Sequence, residues 1–288
     1  MTFKNNCILR FTRYKSIMAS KQALCKGLNL IKNGPITTLQ MDNQKNYNAL
    51  TTDMYKNIAN QLNTLSDCKD TRVICLTGSN GCYSSGNDLS SFGKILGPGI
   101  PKEQMMEKVQ GAADLCEEFV SSFINCKQPL VAKVDGMSIG ISCTSLGLCD
   151  FVYASERSWF YTPFTKIAQG PEGCSSVIFP QIMGNSKARE ILYLNKKINA
   201  QQAFERNLVT EVFASSEELD AKVDSVLNEF SVLPPRSVKS AKALVEGFRR
   251  EMLLEVNKKE CENLVARFSD LEELGPVIKD FFNKSKKK

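Results

Sequence analysis

The chain has 288 residues, of which 42% are hydrophobic and 24% are charged, and no apolar run reaches the roughly 20 residues that a membrane-spanning helix needs. Seven of the basic residues precede the first acidic residue, Asp42, so the formal net charge of +6 leaves 30 basic residues against 31 acidic ones from Asp42 onward. Because this body is near neutral and has no basic stripe with interleaved aromatic side chains, the composition predicts neither a membrane span nor a nucleic-acid partner.

The N-terminal region, residues 1–34, is predicted to be a basic leader outside the folded core. It contains no acidic residue and intersperses arginine, lysine and hydroxyl side chains with apolar ones. This composition is typical of a mitochondrial transit peptide, and a disordered basic tail is the alternative. A secretory signal is not expected, because its uninterrupted apolar core is missing. The last residues, Lys286 to Lys288, are not the Ser-Lys-Leu peroxisomal signal.

The next part of the chain, residues 35–215, alternates short apolar segments with helical patterns, which predicts an α/β core. Thr51 to Leu65 has the period of an amphipathic helix that begins at capping threonines. The predicted strands are Ile36 to Met41, Arg72 to Thr77, Leu130 to Val134 and Cys149 to Ala154.

The C-terminal part, residues 216–288, is predicted to be a helical region. From Ser186 onward the pattern is almost wholly helical. The predicted helical segments are Lys187 to Leu194, Ala200 to Arg206, Glu217 to Phe230, Arg236 to Phe248 and Glu251 to Phe268.

Two glycine-containing segments follow predicted strands and precede apolar helical stretches. They are Ser84-Ser85-Gly86-Asn87-Asp88-Leu89 and Asp135-Gly136-Met137-Ser138-Ile139-Gly140-Ile141-Ser142. A turn of this kind presents backbone N–H groups that can receive a developing negative charge. The alternatives are an ordinary Asn-Asp helix cap for the first segment and close helix–sheet packing for the second.

A third segment, Gln169-Gly170-Pro171-Glu172-Gly173-Cys174-Ser175-Ser176, places one carboxylate between glycines and a proline. A glutamate in a poorly solvated pocket has a raised pKa and can act as a general base near neutral pH. The alternative is an acid that interacts with a helix dipole.

The absence of histidine narrows the possible chemistry. It excludes Ser-His-Asp and Cys-His catalysis and the usual zinc sites, and no cysteine pair has C-x-x-C spacing. The 11 cysteines are expected to be reduced and mostly buried. Cys174 lies beside Glu172, but no base is present to activate it, so we expect it to be a packing residue.

Together these segments resemble the crotonase family, also called the enoyl-CoA hydratase/isomerase superfamily, over roughly residues 35 to 285. The resemblance implies a spiral of β-β-α units with a C-terminal helical trimerisation region, a homotrimer, and an acyl-CoA thioester as substrate. It implies no separate cofactor, since coenzyme A is part of the substrate. Relatives of this kind occur in mitochondria and peroxisomes, so a peroxisomal location is the alternative to a mitochondrial one.

The resemblance also implies roles for residues. The N–H groups of Asn87 and Ile141 would form an oxyanion hole, and the coenzyme A moiety would lie along Ser84, Ser85, Gly86, Asn87, Asp88 and Gly140. Hydratases of the family use two glutamates, whose positions here hold Thr144 and Phe164. Isomerases use one carboxylate at the position of Glu172, which favours a Δ3,Δ2-enoyl-CoA isomerase. An enoyl-CoA hydratase and a catalytically idle acyl-CoA or partner-binding module are the alternatives.

Overall fold

The computed structural model describes residues 19–88, 100–270 and 272–277. Residues 1–18 of the predicted leader, Leu89 of the first glycine-containing segment, and residues 278–288 of the predicted C-terminal region lie outside the described residues.

The described residues form ten strands in two sheets. The strands are β1 (Ser20–Cys25), β2 (Leu28–Asn33), β3 (Ile36–Met41), β4 (Val73–Gly78), β5 (Leu130–Val134), β6 (Met137–Ile139), β7 (Phe151–Ser155), β8 (Trp159–Tyr161), β9 (Ile198–Asn199) and β10 (Glu211–Phe213). The larger sheet has the order β1-β2-β3-β4-β5-β7-β10 and the smaller one the order β6-β8-β9. The β1–β2 and β2–β3 pairs are antiparallel, and all other neighbours in the larger sheet are parallel.

The α-helices of the described residues cover the sheets and form the C-terminal region. They are α1 (Thr52–Asp67), α2 (Lys102–Asn125), α3 (Ile141–Thr144), α4 (Ser175–Met183), α5 (Asn185–Leu192), α6 (Ala200–Glu205), α7 (Ser216–Val232) and α8 (Pro235–Ser269), with a further helical turn at 272–277. None of the helices in the described ranges is both long enough and apolar enough to cross a bilayer.

The predicted leader boundary at residue 34 is wrong for residues 20–33. These residues form β1 and β2, which extend the larger sheet at one edge. Leu28 is fully buried and Leu30 nearly so, because alternate side chains of β2 point into the core. The basic side chains of this segment, such as Lys21 and Lys32, occupy exposed positions of the same hairpin. The basic residues therefore belong to the solvent-facing side of an amphipathic hairpin at the edge of the sheet.

Strands of the larger sheet are followed directly by strands of the smaller one. β5 leads through Asp135-Gly136 into β6, and β7 leads into β8, which pairs with β6 in parallel. After β4, Ser84 makes a parallel bridge to Ser138 in β6, so the first turn repeats the same step. A helix follows each pair, and this repetition produces the predicted spiral of β-β-α units.

Both faces of the larger sheet are covered. One core includes Leu28, Leu130, Phe160 and Phe179 with α1, α2 and α4, and α7 packs Leu219 and Val223 against the other face. The predicted strands at β3, β4, β5 and β7 are confirmed, as is the helix at α1. The α/β fold class is therefore confirmed.

The predicted helical segments Arg236 to Phe248 and Glu251 to Phe268 are one helix, α8, of 35 residues. Charged residues between the two apolar patterns suggested a break, but they are accommodated on the helix surface. Arg249 pairs with Glu246 at 2.6 Å, and the Arg250 guanidinium donates to Asn125 Oδ1 of α2. The helix α8 packs against α2, and its Glu260 contacts the segment that contains Glu172.

Candidate active site

A cavity of about 390 Å³ lies between α1, α2, α8 and the first glycine-containing turn. Its wall is mostly apolar, with a few polar groups that converge on it, as in many ligand sites. Its lining residues are Leu50, Thr52, Tyr55, Asn87, Asp88, Lys108, Val109, Gly111, Ala112, Leu115, Cys116, Glu172, Leu264 and Phe268. Of the predicted site residues, Asn87, Asp88 and Glu172 line it directly.

The first two glycine-containing segments are joined by backbone hydrogen bonds. The Ser84 N–H donates to the Met137 carbonyl at 3.0 Å, and the Ile139 N–H donates to the Ser84 carbonyl at 3.1 Å. The Ser142 hydroxyl also donates to the Ser84 carbonyl, at 3.0 Å. The turn after β4 and the turn after β6 are thus held side by side, as an oxyanion hole formed by two segments requires.

Glycine is needed at position 86 because the segments approach so closely. Gly86 has a φ of 82°, and a Cβ there would lie 2.4 Å from the Ile139 carbonyl oxygen. No side chain fits in that space, and the left-handed φ is itself unfavourable for other residues.

The backbone N–H groups of Asn87 and Ile141 are the predicted donors of the oxyanion hole. Asn87 bridges Leu50, but the two hydrogen bonds of that bridge are donated by Leu50 and Asp88, so the Asn87 N–H takes no part in them. Ile141 is the first residue of α3, where N–H groups have no acceptor within the helix. Ile141 is fully buried and is not among the residues that line the cavity.

Other predicted contact residues shape the turn through their side chains. The hydroxyl of Ser84, which is fully buried, donates to the Asn48 carbonyl at 2.8 Å. The Ser85 hydroxyl donates to the Asn46 carbonyl at 3.1 Å. The predicted contact residues Ser84, Ser85, Gly86 and Gly140 are not among the residues that line the cavity.

Glu172 is a buried carboxylate in the cavity wall, with 7% of its surface exposed. Burial raises the pKa of Glu172 to about 7, because the charged form is poorly solvated there. The Cys116 thiol donates to Glu172 Oε2 at 3.4 Å and acts in the opposite direction by stabilising the carboxylate. A carboxyl group of this kind can both take and return a proton near neutral pH.

A second buried carboxylate lies close to this segment. Glu260 of α8 accepts hydrogen bonds from the N–H groups of Cys174, at 2.7 Å, and Ser176, at 2.9 Å. Its negative charge adds to the rise in the pKa of Glu172, and burial raises the pKa of Glu260 itself.

The two positions that hold glutamates in hydratases have other structural roles here. The Thr144 hydroxyl is fully buried and donates within α3, to the Ile141 carbonyl at 3.3 Å. Phe164 is 4% exposed and belongs to the main core. Neither side chain has a carboxyl group that could take or return a proton near neutral pH, although Thr144 lies next to Gly173 in the Glu172 segment.

Three residues near the site were not identified from the sequence: Tyr55, Cys116 and Glu260. The Tyr55 hydroxyl donates to Asn87 Oδ1 and so fixes the Asn87 side chain. Tyr55 and Cys116 lie on apolar helix faces, where they look like core residues. Glu260 is more than 80 residues from its partners, in a charged helix, and no local pattern distinguishes it.

Cys174 has the properties of a packing residue. It is fully buried, its thiol donates to the Leu253 carbonyl at 3.3 Å, and burial raises its pKa. In the described part of the chain no group of three or more His, Cys, Asp or Glu side chains is arranged to hold a metal ion.

Comparison with known proteins supports the assignment of this site to a family. The enoyl-CoA hydratase/isomerase family model matches residues 31–287. The chain is 40% identical to enoyl-CoA delta isomerase 2 of Rattus norvegicus over 253 residues, covering 88% of this chain and 63% of the relative. It is 36% identical to enoyl-CoA delta isomerase 3, peroxisomal, of Mus musculus, covering 88% and 77%. The chain thus spans less than two thirds of the rat relative.

A solved structure supports the same family assignment. The crystal structure of enoyl-CoA hydratase/isomerase from Pseudoalteromonas atlantica T6c superposes with a TM-score of 0.78 at 28% sequence identity, covering 90% of this chain and 97% of that one. With the spiral fold, the paired glycine-containing turns and the family match in agreement, the chain belongs to the enoyl-CoA hydratase/isomerase (crotonase) family.

Proposed function

We propose that the protein is a Δ3,Δ2-enoyl-CoA isomerase, which moves the double bond of a 3-enoyl-CoA to the 2-trans position during fatty-acid β-oxidation. The observation that carries this proposal is the buried Glu172 carboxyl in the cavity, with its pKa raised to about 7, while Thr144 and Phe164 occupy the positions of the hydratase acids. Similarity to proteins named enoyl-CoA delta isomerase in rat and mouse supports it further.

In the proposed mechanism Glu172 takes a proton from C2 of the substrate. The electrons of that C–H bond form a dienolate, whose oxyanion accepts hydrogen bonds from the N–H groups of Asn87 and Ile141. Glu172 then delivers the proton to C4, so that the double bond lies between C2 and C3. Each well-placed donor of this kind contributes about 3 to 4 kcal/mol to transition-state stabilisation in comparable sites.

The reaction gains and loses no atoms or electrons, so it needs no cofactor beyond the coenzyme A of the substrate. We place that moiety along the turn formed by Ser84, Ser85, Gly86, Asn87 and Asp88, next to Gly140. The hydroxyls of Ser84 and Ser85 are used inside the protein, so the backbone of the turn and the Asp88 side chain are the groups that would contact the substrate.

The test is a spectrophotometric assay of 3-enoyl-CoA conversion to 2-enoyl-CoA, with 2-enoyl-CoA hydration measured on the same purified protein. Isomerisation without comparable hydration is the expected result. Dominant hydration would show that a second acid acts in the site, and tight acyl-CoA binding without turnover would identify an idle binding module. Either outcome contradicts the proposal.

A homotrimer is the proposed assembly, formed through the helical region that begins at residue 216. Support comes from an apolar patch on α8, where Leu244, Val245 and Phe248 are 69%, 73% and 96% exposed. Exposed apolar side chains grouped in this way are characteristic of protein interfaces.

The proposed location is the mitochondrion, with the peroxisome as the alternative, and the basic residues 1–18 support the former. Imaging of the full chain carrying a C-terminal fluorescent tag, beside markers for both organelles, tests this. A signal that coincides with neither marker would contradict the proposal.

A further inference from the structure

The turn directly after Glu172 has an unusual backbone conformation. Gly173 and Cys174 both have positive φ values, 68° and 59°. The left-handed conformation is costly for cysteine and persists only where surrounding contacts impose it. The Ser175 N–H and hydroxyl both donate to the Glu172 carbonyl, at 3.2 Å and 2.7 Å, and close the turn from within.

The contact that fixes this turn from outside comes from α8. One oxygen of Glu260 accepts the Cys174 N–H at 2.7 Å, and the other accepts the Ser176 N–H at 2.9 Å. Both donors lie at the start of α4, where N–H groups have no helical acceptor and a negative charge is favoured. Glu260 is only 7% exposed, so these two bonds replace its lost hydration.

The groups around Glu172 shift its pKa in opposite directions. Cys116 of α2 donates a hydrogen bond that favours the carboxylate, and Glu260 of α8 disfavours it by charge repulsion. Tyr55 of α1 is neutral, since burial raises its pKa well above the ordinary value. The remaining titratable or charged groups nearby are Cys174 in the same segment, Cys261 of α8, and Asp88 and Lys108 in the cavity wall.

We propose that Glu260 is a positioning residue for the isomerisation reaction: from the C-terminal helix it holds the Gly173–Cys174 turn that follows Glu172, and it places a second carboxylate close to the Glu172 segment. This inference rests on the function proposed for Glu172. It gives α8 a part in the chemistry, since the distance from Glu172 to its neighbouring charge is set by the packing of that helix on the core.

The first measurement is the pH dependence of kcat/KM for 3-enoyl-CoA in wild type and Glu260→Gln. The wild-type acid limb is expected near pH 7, the pKa of Glu172. Without the neighbouring charge the Glu172 carboxylate forms more easily, so the inflection in Glu260→Gln should move to lower pH, with a lower kcat. Glu262→Gln is the matched control, because Glu262 is an exposed glutamate of the same helix.

Glu260→Asp separates position from charge. The shorter side chain keeps the negative charge but cannot reach both N–H groups, so kcat should fall while the inflection stays near 7. A fall in kcat at all pH values with an unchanged inflection in both variants would show a purely structural role and overturn the proposal.

A second measurement does not depend on turnover. At pH 8, Glu172→Gln should raise the urea midpoint in wild type, because it removes a buried charge, and raise it less in a Glu260→Gln background, because the repulsion is already gone. Equal increases in the two backgrounds would contradict the inference even if the isomerase assay succeeds. Unequal increases in a protein without isomerase activity would uphold the coupling and contradict the proposed function instead.

Discussion

At the scale of single residues, the site depends on the environment of one carboxyl group. Glu172 is chemically ordinary, and its pKa of about 7 comes from its surroundings: burial and the charge of Glu260 raise it, and the hydrogen bond from Cys116 lowers it. The sequence indicated that a carboxylate lies between glycines and a proline. It could not indicate Cys116, which is 56 residues away and lies on the apolar face of α2.

Replacing Glu172 with glutamine removes the proton carrier and preserves the shape of the side chain. We expect kcat for 3-enoyl-CoA to fall by about 10³-fold or more, with acyl-CoA affinity nearly unchanged. Steady-state kinetics and isothermal titration with an acyl-CoA measure the two quantities. Retention of activity by this variant would exclude Glu172 as the base.

Cys116→Ala removes the hydrogen bond that stabilises the Glu172 carboxylate. The pKa of Glu172 should therefore rise, and the acid limb of the kcat/KM profile should move above pH 7. Cys116→Ser retains a donor and should restore the inflection to the wild-type value or below. Identical profiles for the alanine and serine variants would show that the thiol does not affect Glu172.

The raised pKa of Glu172 also affects stability. Below pH 4.5, its ordinary pKa, the carboxyl is protonated in both the folded and unfolded states. Between pH 4.5 and about 7 the unfolded state loses this proton while the folded state keeps it, so the free energy of unfolding falls as pH rises. The shift corresponds to a stability cost of about 3 kcal/mol above pH 7. Glu172→Gln should thus be more stable than wild type in urea unfolding at pH 8 and about equally stable at pH 4. A stability difference that does not change with pH contradicts this.

At the scale of elements, the structure differs from the sequence-based prediction in two segments. Residues 20–33 are predicted to be part of a basic leader, but they form a β-hairpin at the edge of the larger sheet. The C-terminal helix α8 is predicted to be two helices, but it is one unbroken helix. It extends to the site, where Glu260 contacts the turn after Glu172. In both cases contacts with distant strands or helices decided the outcome.

The contribution of the β1–β2 hairpin to the core can be tested with Leu28→Ala. Leu28 is fully buried in the main core, so its loss should lower the free energy of unfolding by about 3 kcal/mol. Lys32→Ala, at an exposed position of the same strand, should change it by less than about 0.5 kcal/mol. Urea unfolding measures both, and equal effects would mean that the hairpin does not contribute to the core.

At the scale of the whole molecule, the apolar patch of α8 concerns assembly. Phe248→Glu places a charge where we expect a subunit interface, so the trimer should dissociate to monomers in sedimentation velocity experiments. Lys258→Glu, at an exposed position further along α8, should leave the trimer intact. A wild-type protein that sediments as a monomer would contradict the proposed assembly directly.

The sequence by itself determined the α/β fold class, the strands β3, β4, β5 and β7, and the segment that contains Glu172, because apolar periodicity and glycine-containing turns act locally. Tertiary structure alone decided that β1 and β2 join the sheet and that Tyr55, Cys116 and Glu260 surround the site. The physical reason is distance along the chain: burial, hydrogen bonding and charge repulsion at Glu172 come from helices that periodicity can identify but cannot place.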